Sequence, residues 1–167
     1  MSALGDAIPF VPRIREIIEA IALFEDFDPH DLEVLAKHMR CYRAPAGMEI
    51  IREGDRGDFM VLILTGAVEI IKLDVRGLPA QIATAGPGKT LGEMSLIDGE
   101  PRFASCIAID EVEFAVLDRT QLSAMISEEP LVGVKLMMEF LMLLNQRLRN
   151  VSGQLMDCVE SRRNRIR

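Results

Sequence analysis

The chain is short of the residues that most catalytic chemistry needs. It holds two histidines, His30 and His38, both early and within one segment of helical pattern. A cupin-type catalytic barrel places several imidazoles on its strands, and the strand-rich stretch that follows His38 has none, so that class is excluded. No acidic or cysteine partner stands at ligand spacing from either histidine, which leaves both as exposed or edge positions of a helix, and no metal site is expected. Cys41, Cys106 and Cys158 are odd in number, widely scattered and without CxxC spacing, so neither a disulfide framework nor a zinc site is indicated. No nucleophile stands with a base to activate it, and no catalytic residue is assigned: the chain does not read as an enzyme. Positive charge is also scarce, 19 Lys and Arg against 26 Asp and Glu for a net charge of −7, where nucleic-acid binding draws on clustered Lys and Arg. Direct DNA binding is therefore not expected. Apolar runs are too short to span a bilayer, and Met1 to Ile14 carries acids and prolines in place of a basic and then apolar leader. No membrane partner is expected, and the cytoplasm is the expected location.

What is present suits one globular domain with appendages: 167 residues, 49% of them hydrophobic, enough for a real core. After a loose start punctuated by Pro9 and Pro12, Ile14, Ile17, Ile18 and Ile21 recur at helical spacing and predict an amphipathic helix ending near Phe24. A second helix begins at the N-cap Asp28 with Pro29 at its first position, and Leu32, Leu35, Ala36 and Met39 form its apolar stripe. From Arg43 the pattern changes to short apolar runs broken by glycine or proline, the signature of an all-β sandwich or barrel. Strands are expected at Glu49–Arg52, Met60–Thr65, Ala67–Leu73, Ala80–Ala85, Ala104–Ile109 and Glu113–Asp118, with a hairpin around Gly66. Positive φ at tight bends accounts for Gly54, Gly57 and Gly66. The expected fold class is α+β, mainly β: an antiparallel, jelly-roll-like β-roll with N-terminal helices and a long C-terminal helix. Its expected divisions are a helical segment at 1–27, the β-roll with flanking helices at 28–129, and the long helix with a basic tail at 130–167.

The organising stretch runs from Gly88 to Ile107. Gly88 and Gly92 free the backbone, Glu93 to Ile97 suits one short helical turn with unpaired amides, and Gly99 and Pro101 end it. Arg102 follows, able to grip an anion by two parallel hydrogen bonds, while the Glu93 carboxylate repels an anion and suits a neutral hydroxyl. Together they read as a pocket for a ligand that carries both groups close together.

The run Gly92-Glu93-Met94-Ser95-Leu96-Ile97-Asp98-Gly99-Glu100-Pro101-Arg102-Phe103-Ala104-Ser105 resembles, without a gap, the phosphate-binding cassette of the cyclic nucleotide-binding domain family, of the catabolite activator and protein kinase A regulatory-subunit type. Turns at Glu53-Gly54-Asp55, Gly57-Asp58 and Leu64-Thr65-Gly66 extend the resemblance over about 23–149. It implies a 3′,5′-cyclic nucleotide ligand, cyclic AMP or cyclic GMP. Glu93 would hold the ribose 2′-hydroxyl and Arg102 the cyclic phosphate, with backbone amides at Ser95 and Phe103 completing the cradle. The ligand-binding set is Gly92, Glu93, Met94, Ser95, Arg102, Phe103 and Ala104. Phe103 departs from the family's small alanine, serine or threonine; it keeps the amide and loses a hydroxyl that helps select guanine, which favours cyclic AMP.

A short helix is expected over Thr120–Ser127 with Leu122, Met125 and Ile126 inward, and Pro130 starts a long one. Its Leu131 to Leu144 portion is apolar on more than one face. Met137, Leu141, Leu144, Leu148, Val151, Leu155 and Cys158 then follow a heptad seam, which a single helix cannot bury; a parallel homodimer is expected, packing back on the barrel being the alternative. By resemblance, Asn150, Val151 and Ser152 are candidate lid residues over the base. The basic end, Ser161 to Arg167, suits the negative pole of a helix. The activator type continues into a helix-turn-helix and the kinase type carries an inhibitory segment; neither is recognisable here. The expectation is a sensor module whose output passes to an unknown effector protein in trans. The competing reading is a non-sensing dimeric scaffold on a degenerate version of the same fold.

Overall fold

The computed structural model describes residues 1–12, 14 and 27–165, with side chains described as far as 161. Nine strands form two antiparallel sheets among these residues. One has five strands in the order β1 (Ser2–Asp6), β2 (Arg40–Ala44), β9 (Val112–Asp118), β4 (Phe59–Thr65), β7 (Thr90–Leu91). The other has four: β3 (Glu49–Ile51), β8 (Ser105–Ala108), β5 (Val68–Leu73), β6 (Pro79–Ala85). The helices are α1 (Pro29–Lys37), α2 (Glu93–Asp98), α3 (Arg119–Glu128) and α4 (Pro130–Arg165), with a 3-10 turn at Ile8–Phe10. The expected β-roll class is the observed one.

Strand β4 shows why the sheets stack as they do. Successive side chains of a strand point to opposite faces, and the unbroken run Met60-Val61-Leu62-Ile63-Leu64 is buried on both. Met60, Leu62 and Leu64 join a core with Leu32, Leu35, Leu122, Met125, Val132, Leu136 and Phe140 from the helices. Val61 and Ile63 face the other way, into an inter-sheet core with Ile51, Val68, Leu91, Cys106, Ala108 and Phe114. Strand β9 divides likewise, with Ala115 and Leu117 toward the helices and Val112 and Phe114 between the sheets.

Two strands lack that signal. Ser2–Asp6, expected as a loose start to a helical segment, is a mostly exposed strand held by pairing Ser2 with Arg43 and Asp6 with Arg40. Arg40–Ala44 carries two arginines and no apolar run, yet it pairs with β9 along its whole length, Arg40 with Val116 through Ala44 with Val112. Backbone pairing distant in sequence, not apolar alternation, makes both. The helix expected from Ile14 to Phe24 lies outside the described residues except for Ile14, which is buried in the helix-side core.

Asp28 caps α1 through a reciprocal capping box with Asp31, with Pro29 in the first turn. Asp31 also accepts from Lys135 Nζ at 2.5 Å, tying α1 to α4. His30 is exposed, whereas His38 is buried at the C-cap of α1, its Nδ1 2.9 Å from the Val34 carbonyl oxygen. On α3, Leu122 and Met125 are buried, but Ile126 faces outward at 39% exposure, contrary to expectation. It lies against Gly133, where an added Cβ would stand 2.7 Å from an Ile126 side-chain carbon. The Ile126 side chain thus packs at the α3–α4 contact and is not part of the buried core.

Candidate functional site

Short connections around α2 assemble one cavity. Gly92 is the N-cap of α2 at φ 79°, a left-handed conformation that glycine adopts without strain, and Gly99 ends the helix in the same way. Between them Glu93 and Ser95 turn inward and are buried, while Met94 is exposed at the rim. The chain then returns through Arg102, whose backbone is pinned to the β3–β4 turn: its amide donates to the Asp55 carbonyl at 2.9 Å, and its carbonyl accepts from the Gly54 amide at 2.9 Å. The cavity between the sheets has an empty volume, mouth included, of about 450 Å³, and Gly92, Glu93, Met94, Ser95, Arg102, Phe103 and Ala104 all border it. Ile51, Ile70, Leu91, Cys106 and Arg147 complete the lining.

Arg102 is 4% exposed. Its Nη1 donates to the Gly92 carbonyl at 2.9 Å and its Cζ stands 4.3 Å from the Phe59 ring centroid. Its Nη2 is buried with no hydrogen-bond partner among the described residues. Burial lowers its pKa from the ordinary 12.5, with Asp58 and Glu93 opposing the shift. Glu93 is 1% exposed; one carboxylate oxygen pairs with Arg147, and the other, Oε2, has no partner among the described residues. Burial raises its pKa above the ordinary 4.5 against the pull of Arg147 and Arg102. Two residues that line one cavity thus each carry a buried, unsatisfied polar atom, a donor on Arg102 and an acceptor on Glu93, a costly state that a ligand offering an anion and a hydroxyl would relieve. Cys106, also on the wall, has its thiol pushed up to about 12 by burial and is an inert wall group.

Three contributors were not singled out from the sequence. Arg147, on α4, pairs with Glu93 and donates through Nη2 to the Thr90 carbonyl at 2.9 Å, so the long helix is fastened to the cavity. Gly57, read as a tight bend, is not at positive φ; an added Cβ would stand 2.7 Å from Arg102 Nη2, so its glycine makes room for the guanidinium. Gly54 and Gly66 do have positive φ. Arg119, at the start of α3, donates to the α2 carbonyls of Ser95 at 3.1 Å and Leu96 at 2.7 Å, anchoring the negative pole of that short helix. The candidate lid residues Asn150, Val151 and Ser152 lie about one turn beyond Arg147; all three are exposed and do not border the cavity. No cluster of metal-ligating side chains occurs among the described residues.

Fold and cavity together define a β-roll with a buried arginine and a buried glutamate beside one short helix. Residues 41–129 match the family model described as the cyclic nucleotide-binding domain, and the chain belongs to that family. It is 32% identical over 145 residues to the cyclic AMP receptor protein of Thermus thermophilus, covering 86% of this chain and 65% of that one. To a CRP-like cAMP-activated global transcriptional regulator of Mycobacterium tuberculosis it is 29% identical over 144 residues, covering 86% and 62%. The chain thus spans less than two thirds of the length of these curated relatives. Among solved structures, a cyclic nucleotide-binding domain from Methylobacillus flagellatus superposes with a TM-score of 0.82 at 41% identity, covering 89% of this chain and 84% of that one. The family is a regulatory, ligand-binding one. No helix among the described residues is long and apolar enough to cross a membrane.

Proposed function

We propose that this chain is a cyclic-nucleotide sensor module that takes a 3′,5′-cyclic nucleotide, cyclic AMP in preference to cyclic GMP, into the cavity beside α2. The observation that carries the reading is the pair of unsatisfied buried groups, Arg102 Nη2 and Glu93 Oε2, on two residues that line one cavity. The cyclic phosphate accepts from Arg102 and from the backbone amides near Ser95 and Phe103, and the ribose 2′-hydroxyl donates to Glu93. Phe103 brings no hydroxyl to guanine, which leaves adenine the less costly base to desolvate.

Signalling runs through α4. Arg147 joins Glu93 to this helix, so a ligand that engages Glu93 alters the partner of a residue on α4. Only a difference in affinity between two arrangements moves a population, and the Glu93–Arg147 link gives the ligand a lever on the helix. Closure of α4 brings Asn150, Val151 and Ser152 toward the base. The same helix pairs with a second copy: Leu148, Val151 and Leu155 are 64%, 60% and 62% exposed, a seam that a partner helix would cover. The occupied dimer then passes its state to an effector protein in the cytoplasm.

Melting curves with and without cyclic AMP and cyclic GMP test the reading, together with sedimentation of the protein at micromolar concentration. Stabilisation that grows with nucleotide concentration and a dimeric mass support it. A dimer whose melting temperature neither nucleotide moves favours the scaffold reading, for which the exposed α4 seam suffices.

A further inference from the structure

Phe103 is the one large apolar side chain on the cavity's lining that is more than half exposed, at 57%. Its exposure is not looseness. Lys72 Nζ, on β5, stands 4.7 Å from the ring centroid, and Glu53 holds that ammonium at 2.5 Å. Glu53 is itself fixed, its other carboxylate oxygen accepting from the Leu73 amide at 2.9 Å, and the Lys72 hydrogen bond chief among the causes that hold its pKa below the ordinary 4.5. Lys72 does not border the cavity, whereas Phe103 does. A three-residue brace, from strand β5, the β3–β4 turn and the bend before β8, thus presents an aromatic ring at the cavity wall.

The polar side chains on that wall are Glu93, Ser95, Arg102 and Arg147, with the thiol of Cys106. Glu93 and Ser95 belong to α2, and Arg102 and Arg147 both reach the α2 end of the cavity through Gly92 and Glu93. The remaining lining, Gly92, Ile51, Ile70, Leu91, Met94, Phe103 and Ala104, brings no side-chain donor and, beyond the weakly accepting Met94 thioether, no acceptor with which to read the edge of a base.

Building on the sensor reading, we propose that Phe103 is the residue that grips the base, a π-face braced by Lys72 and Glu53, and that it sets a preference for purine over pyrimidine cyclic nucleotides. Stacking is tolerant of the base's hydrogen-bonding pattern and grows with ring area, so it separates two-ring from one-ring bases far better than adenine from guanine. The cation behind the ring fixes its orientation before the ligand arrives, so that little ordering remains to be done on binding.

The test is calorimetric titration with cyclic AMP and with cyclic CMP of the full chain and of Phe103→Ala, Phe103→Trp and Lys72→Met. The wild type should bind cyclic AMP about tenfold more tightly than cyclic CMP. Phe103→Ala should lose about tenfold for cyclic AMP and only about twofold for cyclic CMP, so that the purine preference collapses, while Phe103→Trp retains it. Lys72→Met should weaken cyclic AMP by about threefold, the share due to bracing. Equal losses for both nucleotides in Phe103→Ala, or no loss for either, would overturn the proposal while leaving the sensor reading intact. Failure of the wild type to bind either nucleotide would overturn the sensor reading and this proposal together. The exposure of Phe103 keeps these substitutions compatible with folding, and unchanged melting temperatures of the unliganded variants check that.

Discussion

The two faces of strand β4 do different work. Toward the helices, Met60, Leu62 and Leu64 meet an apolar layer built from α1, α3 and α4. Between the sheets, Val61 and Ile63 belong to a core that adjoins the buried Glu93 and Arg102, each with one unsatisfied polar atom among the described residues. The helix side is packed with apolar groups, whereas the inter-sheet side carries buried unsatisfied polar atoms at a cost in stability, which on the proposed reading a ligand would satisfy. A strand with a side-chain period of two lets one sequence carry both tasks, and changes on its two sides should separate stability from binding.

The largest effect is expected on the helix side. Leu62→Ala removes a side chain that is 1% exposed and should cost about 2–5 kcal/mol in urea denaturation, with nucleotide affinity of the folded protein within about twofold of wild type. Gly57→Ala should do the reverse. Its new Cβ would displace the Arg102 guanidinium, and the loss of a charge-assisted contact worth about 1.5–3 kcal/mol should weaken cyclic AMP binding by tenfold or more in calorimetry. If Gly57→Ala binds as wild type does, Gly57 is only a bend and the two sides are less distinct than drawn.

A smaller effect tests the cost of the buried carboxylate. Because burial raises the Glu93 pKa in the folded state, its contribution to the stability of the unliganded protein is fully present below pH 4.5 and is lost as the pH rises through the folded-state value. The carboxylates held by partners, Glu49 and Glu53, have lowered values and change stability in the opposite direction. Glu93→Gln should therefore melt higher relative to wild type with each step of pH above 4.5 until the difference levels off. A constant difference across that range would mean that Glu93 titrates as freely in the folded chain as in the unfolded one. The smallest effect lies far from both cores: Gly153, within α4, has open space around an added Cβ, so Gly153→Ala should stabilise by at most about 1 kcal/mol without altering affinity.

Much of this division was legible in the residues. The apolar runs of β4, β5 and β9 and the Asp28-Pro29 start of α1 announced themselves through period and capping, because burial and local geometry select those residue types. The run from Gly92 to Ala104 was legible as a candidate site because Glu93, Arg102 and the glycines around them keep a fixed spacing, and the structure places all seven assigned positions on one cavity. Strands β1 and β2 were not legible, since a backbone ladder to a distant strand leaves no mark on local composition. Nor were Gly57 and Arg147. Arg147 lies in the polar stretch Asn145-Gln146-Arg147 of a helix and reads as a solvated charge until the fold places Glu93 beside it.

The central claim is that the buried Arg102 guanidinium waits for a cyclic phosphate. Calorimetric titration of wild type and Arg102→Ala with cyclic AMP, at a temperature where both are folded, tests it most directly. The account predicts saturable one-site binding by the wild type and a loss of about a hundredfold or more in the variant. Equal affinity in the two proteins would contradict it.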